Sequence, residues 1–138
     1  GKPIEDPKGI EDSLQAEIFF SKGAEYLKAK DYQKALDFFK LCVTMMPDEQ
    51  IFMDSYVKTL YLRFQNTDLG NPLEIKSVIR DGLQRFPQSD TLYLILGWVL
   101  KKEGSKKAIE AFKRAIEINR KNHDAQRELR LYKMRGSK

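Results

Sequence analysis

A chain of 138 residues is long enough for one domain with a real hydrophobic core. With 41% hydrophobic and 33% charged residues it has the balance of a soluble globular protein rather than a disordered one, and no apolar run approaches the ~20 residues of a membrane span. Net charge is +5 but uneven: residues 1–100 hold 12 basic and 15 acidic side chains, whereas residues 101–138 hold 13 and 5, which raises nucleic acid or an acidic surface as a partner for the C-terminal end.

The start, GKPIEDPKGIEDS, is polar and acidic, with neither a signal-peptide pattern nor an initiator Met. It is expected to be a flexible leader over 1–11, at the head of a domain cut from a longer protein. Apolar residues then recur at three and four without sustained alternation, so every element is expected to be a helix. The first is expected over 14–29, entered from Asp12 or Ser13. The second, 32–46, is capped by Asp31 and stopped at Pro47, and the third covers 49–64. After the polar loop QNTDLGN, the fourth opens with NPLE: Asn71 as cap, Pro72 in the first position and Glu74 reaching back. It stops at Pro87. The fifth covers 90–103 and ends at Gly104; the sixth, capped by Ser105, covers 106–119; the seventh covers 123–135 and leaves 136–138 as a disordered tail.

The chain repeats itself. LDFFKLCVTM (36–45) parallels IEAFKRAIEI (109–118) at an offset of 73, which pairs Ala35 with Ala108, Phe39 with Phe112 and Cys42 with Ala115. In the preceding helices the offset is 74: Phe19 pairs with Tyr93 and Gly23 with Gly97, so the second copy lacks one residue near Gly104. A helical glycine costs about 1 kcal/mol against alanine. Its recurrence with the same companions means that Gly23 faces the second helix of its own unit. There Ala35 and Cys42 are expected as the small partners, with Phe39 and Tyr26 filling the space on either side. Between the copies lie two more helices, with Pro47 and Pro87 at equivalent ends.

This pattern resembles the tetratricopeptide repeat (TPR), a helix–turn–helix unit of 34 residues. The first copy carries Phe19, Gly23, Tyr26, Ala35, Phe39, Cys42 and Pro47. The third keeps Tyr93, Leu96, Gly97, Ala108, Phe112 and Ala115, with Leu100 in place of tyrosine and Arg120 in place of proline. The middle copy is degenerate, with Val57 for the glycine and Ile75 for the alanine; Tyr56, Leu60, Gly82 and Pro87 support it. The resemblance implies an all-α fold, a right-handed superhelical stack of three helix–turn–helix repeats, and a C-terminal capping helix. The expected layout is a single domain over 12–135, with repeats at about 16–49, 50–89 and 90–122 and a cap at 123–135. On the cap, Ala125, Leu129 and Tyr132 are expected to point inward, and Arg127, Arg130, Lys133 and Arg135 to stay in water.

In such arrays the first helices of the repeats line a concave groove. By register that groove holds Glu17, Phe20, Ala24 and Lys28; then Ile51, Asp54, Lys58 and Tyr61; then Thr91, Leu94, Trp98 and Lys101. One subclass of the family clamps a peptide's terminal carboxylate with lysine, asparagine and arginine. The matching places here hold Phe20, Ala24, Ser55, Thr91 and Ile95, so carboxylate-clamp recognition is not expected. The aromatic middle suits an extended or helical peptide with hydrophobic anchors. Two alternatives stay open: the leader, with Ile4 and Ile10, folds back into the groove, or a homo-oligomer forms through it. On the convex side Phe38, Leu41 and Met46 read either as an exposed interface patch or as packing against a neighbouring repeat or the leader.

No catalytic constellation, metal spacing or phosphate-binding loop is present, so no enzyme activity, cofactor or metal is expected. His123 reads as a cap or surface residue, and Cys42 as a buried, inert packing residue. One cysteine and no signal peptide point to a reducing, cytoplasmic setting. The expected function is a non-catalytic interaction module or scaffold for a protein or peptide, as an arm of a larger bacterial-type protein. The alternative is a chaperone for a secreted or membrane-active client. Nucleic-acid binding by the basic end ranks lower, because Glu103, Glu110, Glu117, Asp124 and Glu128 interrupt the charge and pair with it at helical spacing. No membrane association is expected.

Overall fold

The structure, a computed structural model, describes residues 7–136. Among these residues there are seven helices and no strand: α1 (Pro7–Lys28), α2 (Tyr32–Met45), α3 (Gln50–Asn66), α4 (Pro72–Arg85), α5 (Asp90–Lys102), α6 (Lys107–Ile118) and α7 (His123–Gly136). They fall into two compact units, one up to Arg63 and one from Phe64 on.

The first helix opens earlier than the capping residues imply. It starts at Pro7 rather than near residue 14, so Asp12 and Ser13 lie inside it. A proline is pre-organised for the first helical position, where its missing N–H is not needed. The expected leader is therefore helical from residue 7; residues 1–6, including Ile4, and residues 137–138 lie outside the described residues.

Side-chain caps fix the later helix starts. Asp31 accepts from the Lys34 amide at 3.2 Å, Asn71 from the Leu73 amide at 2.8 Å, and Ser89 from the Leu92 amide at 3.1 Å. Ser105 accepts from the Lys107 amide from two positions before the formal start of α6, whose flanking residue Lys106 makes no side-chain cap bond. Asn122 opens α7 by accepting from the Ala125 amide. His123 is exposed in the first turn of that helix.

Three turns share one geometry. The amides of Met46, Phe86 and Asn119 bond back to the carbonyls of Cys42, Gly82 and Ala115. Three residues further on, the amides of Glu49, Ser89 and Asn122 bond to the carbonyls of Met46, Phe86 and Asn119. In the second unit Asp90 accepts from both Asn119 and Asn122 at 2.9 Å, which ties the α6–α7 turn to the start of α5.

The ends of α1 and α5 also match. The Lys30 amide bonds to Leu27 and the Asp31 amide to Tyr26; the Gly104 amide bonds to Lys101 and the Ser105 amide to Leu100. Both closures need a left-handed residue, which is Gly104 at φ 73° in one and Lys30 at φ 62° in the other. A side chain in that region costs roughly 1 kcal/mol or more. Lys30→Gly is therefore expected to raise the unfolding free energy read from urea denaturation by about 0.5–1 kcal/mol, and Gly104→Lys to lower it comparably. A drop in stability on Lys30→Gly would show that the lysine is not strained there.

Candidate functional site

Close approach within each hairpin sets which faces stay open. A Cβ on Gly23 would lie 2.6 Å from Phe39 Cε1, and one on Gly97 would lie 2.3 Å from Phe112 Cε1. The aromatic ring is thus what an added side chain would meet first in each hairpin. Phe39 and Phe112 are buried, as are Ala35, Cys42, Ala108 and Ala115. Tyr26 has a ring partner of its own. It stacks on Phe38, with ring centres 5.6 Å apart and planes 8° apart.

That stack also dissolves most of the convex patch expected from sequence. Phe38 lies half-buried between Tyr26 and Phe19, with Lys22 over its ring, and Met46 packs against the cluster of Ala16, Cys42 and Phe52. Only Leu41 stays open, at 43% exposure.

In the first unit, Phe20 is half-buried, 5.5 Å from the Phe39 ring and 5.4 Å from the Phe52 ring. Glu17, Ala24 and Lys28 are exposed on α1. On α3, Lys58 and Ile51 are exposed and Ser55 is half-buried. Tyr61 is buried in the core rather than open in a groove, and Asp54 is buried and accepts from Gln50. On α3 the buried Phe52, Val57, Thr59, Leu60 and Tyr61 occupy several sides of the helix, and Ile51, Ser55 and Lys58 share the face that remains, which leaves Tyr61 and Asp54 off it.

In the second unit, Leu94 is buried, and Trp98 packs, half-buried, on the same cluster as Ala125, Leu129 and Tyr132 of α7. Thr91 is half-buried on the same helix. Lys101 donates to Glu128 at 2.7 Å and, with Leu131, Tyr132 and Arg135, lines a cleft of ≈ 230 Å³. A second cleft of ≈ 390 Å³, not foreseen from sequence, lies on α4 and α5. Ile79, Leu83 and Leu96 form its apolar wall, and Lys76 and Arg80 form part of its rim. The i, i+4 spacings of Lys76 with Arg80 and of Ile79 with Leu83 were its only sequence signal.

Among the described residues no group of three or more His, Cys, Asp or Glu is placed to hold a metal ion, and no helix is long and apolar enough to cross a membrane. Cys42 is buried, its Sγ–H donating to the Ala16 carbonyl at 3.3 Å. Burial pushes the thiol up to about 11, because the thiolate would be desolvated. Between the ordinary thiol value and that value, the unfolded chain loses the proton while the folded chain keeps it. Stability therefore falls as pH rises through that window, at ~1.4 kcal/mol per pH unit from this group. Cys42→Ala should flatten this alkaline loss in pH-dependent melting, and the wild-type thiol should resist disulfide reagents at neutral pH. Fast labelling of the native chain would count against the buried placement.

Residues 16–49 and 91–122 each match the tetratricopeptide repeat model, and 50–90 lies outside the match. No curated protein matches the sequence significantly. Among solved structures, the chain is similar to the TPR domain of Arabidopsis OM64, at 18% identity and TM-score 0.73, covering 89% of this chain and 98% of that one. It is similar to the first TPR of Spaghetti (RPAP3) bound to the HSP90 peptide SRMEEVD, at 18% identity and TM-score 0.73, covering 91% and 96%. The Sgt2 TPR domain from Aspergillus fumigatus is similar at 18% identity and TM-score 0.73, covering 88% and 78%. The fold is that of a TPR domain, an all-α array of helical hairpins.

Proposed function

We propose that the chain is a three-repeat tetratricopeptide domain that holds a protein or peptide partner and does no chemistry of its own. The repeat beyond the two matched ones is the middle one, α3 with α4. Its support is the Phe86–Ser89 turn, which repeats the Met46–Glu49 and Asn119–Asn122 turns in the same hydrogen-bond pattern.

The observation that carries the partner class is the character of the clamp places. Phe20 packs at a tilt against two rings, Ile95 is fully buried, and Ala24, Ser55 and Thr91 carry no charge. A cationic cradle for a terminal carboxylate is therefore missing at every one of them. The RPAP3 domain is seen with the acidic peptide SRMEEVD; this chain is read as taking its peptide by apolar anchoring instead. The contact residues in the first unit are Phe20, Ala24 and Lys28 on α1 and Lys58 on α3; those in the second unit are Trp98 and Lys101 on α5. Tyr61, Leu94 and Asp54 serve packing. The single buried thiol fits a reducing, cytoplasmic setting.

Selection from a displayed random-peptide library tests this. Peptides with aromatic or aliphatic anchors, indifferent to amidation of their C-terminus, are expected, and Ala24→Arg and Lys58→Glu should weaken them. Saturable binding of SRMEEVD that depends on its free carboxylate would overturn the reading, as would peptides insensitive to both substitutions.

A further inference from the structure

On α1, Ile10, Leu14 and Ile18 are 48%, 61% and 50% exposed. Their spacing of four puts them in one stripe, opposite the face that buries Ala16 and Gly23. Exposed Glu11 and Glu17 flank the stripe on its two sides. Three contiguous aliphatic side chains in water on one helix are unlike scattered surface apolar residues and mark a contact face.

The opposite chemistry lies at the other end of the chain. On α7, Arg127, Arg130 and Met134 recur at i, i+3 and i+7, opposite Ala125 and Tyr132, and all three are exposed, Met134 at 78%. Arg127 also bonds Asp124 one turn back. Pairing α1 with α1 would set glutamates against glutamates, and pairing α7 with α7 would set arginines against arginines. Only α1 against α7 joins the apolar residues while matching the charges.

We infer that the outward face of α1 is a docking surface for α7 of a second copy of this chain, so that copies associate head to tail. Such a contact joins two different surfaces of the chain, so each can be altered without touching the other. The apolar stripe is small beside the ~800 Å² per partner of a stable interface, so the association is transient and depends on its charged rim.

Sedimentation equilibrium of the full chain, from micromolar to millimolar and at low and high salt, tests it. Wild type should associate with rising concentration, most at low salt, and Leu14→Ser should lose the association. Two charge-reversed variants, Glu11→Arg/Glu17→Arg and Arg127→Glu/Arg130→Glu, alter exposed residues and should keep the wild-type melting curve. Each alone should be monomeric, and mixing them should restore association. A wild type that stays monomeric to millimolar, a mixture that stays monomeric, or association that survives either reversal would overturn the inference.

Discussion

Gly97→Ala should destabilise the second unit by about 2 kcal/mol, although alanine is the better helix former. The propensity gain is about 1 kcal/mol. Against it stands a methyl placed 2.3 Å from Phe112 Cε1 and 2.5 Å from Cδ1, closer than a Cβ contact tolerates. Phe112 is fully buried, so its ring has no solvent side to retreat to. Overpacking of this kind costs at the upper end of about 1–3 kcal/mol or beyond. Gly23→Ala should cost somewhat less, because its nearest approach to Phe39 is 2.6 Å. In urea denaturation, Phe112→Leu should be less harmful in the Gly97→Ala background than in wild type, since the two changes relieve each other. A Gly97→Ala protein more stable than wild type would mean that the helices are free to move apart.

The second large effect is expected from α7. Ending the chain at Asn122 strips Ala125, Leu129 and Tyr132 from the cluster that holds Leu94, Trp98, Phe112 and Ala115. Each large side chain returned to water costs about 1.5–3 kcal/mol. The sum is a sizeable part of the roughly 5–15 kcal/mol that holds a domain together. The truncated chain should melt at a lower temperature and with less cooperativity, and Trp98 emission should move to the red. Ala125→Glu should do the same more mildly by burying an unpaired charge. Unchanged emission and melting in both would show that α7 does not cover the second unit's core.

Much of this was legible from residues alone, for identifiable physical reasons. Capping is local, so Asp31 and Asn71 could be recognised from their neighbours. Glycine recurrence is a long-range signal, and the offsets of 73 and 74 expose it. The start of α1 was missed because Asp12 and Ser13 are good caps that also tolerate a helix interior, while Pro7 carried the better signal. Tyr61 and Leu94 were misplaced because register names the helix face but not what covers it. Leu94 joins the cluster that α7 completes, and Tyr61 belongs to a helix buried on several sides. Sequence leaves Phe38 open between surface and packing because its partners, Phe19 and Tyr26, lie on another helix. Ring pairing across helices leaves no periodic trace.

Cys42 and Trp98 are the only residues of their kinds in the chain, and each unit holds one of them. The cysteine can be alkylated only when its unit opens; the tryptophan reports its own surroundings optically. Repeat arrays need not melt as one block, because their stability is a sum of local terms and neighbour couplings. The unmodified chain therefore carries two orthogonal clocks. Alkylation rate and emission, followed through one urea gradient, measure the coupling between its halves without introducing a label.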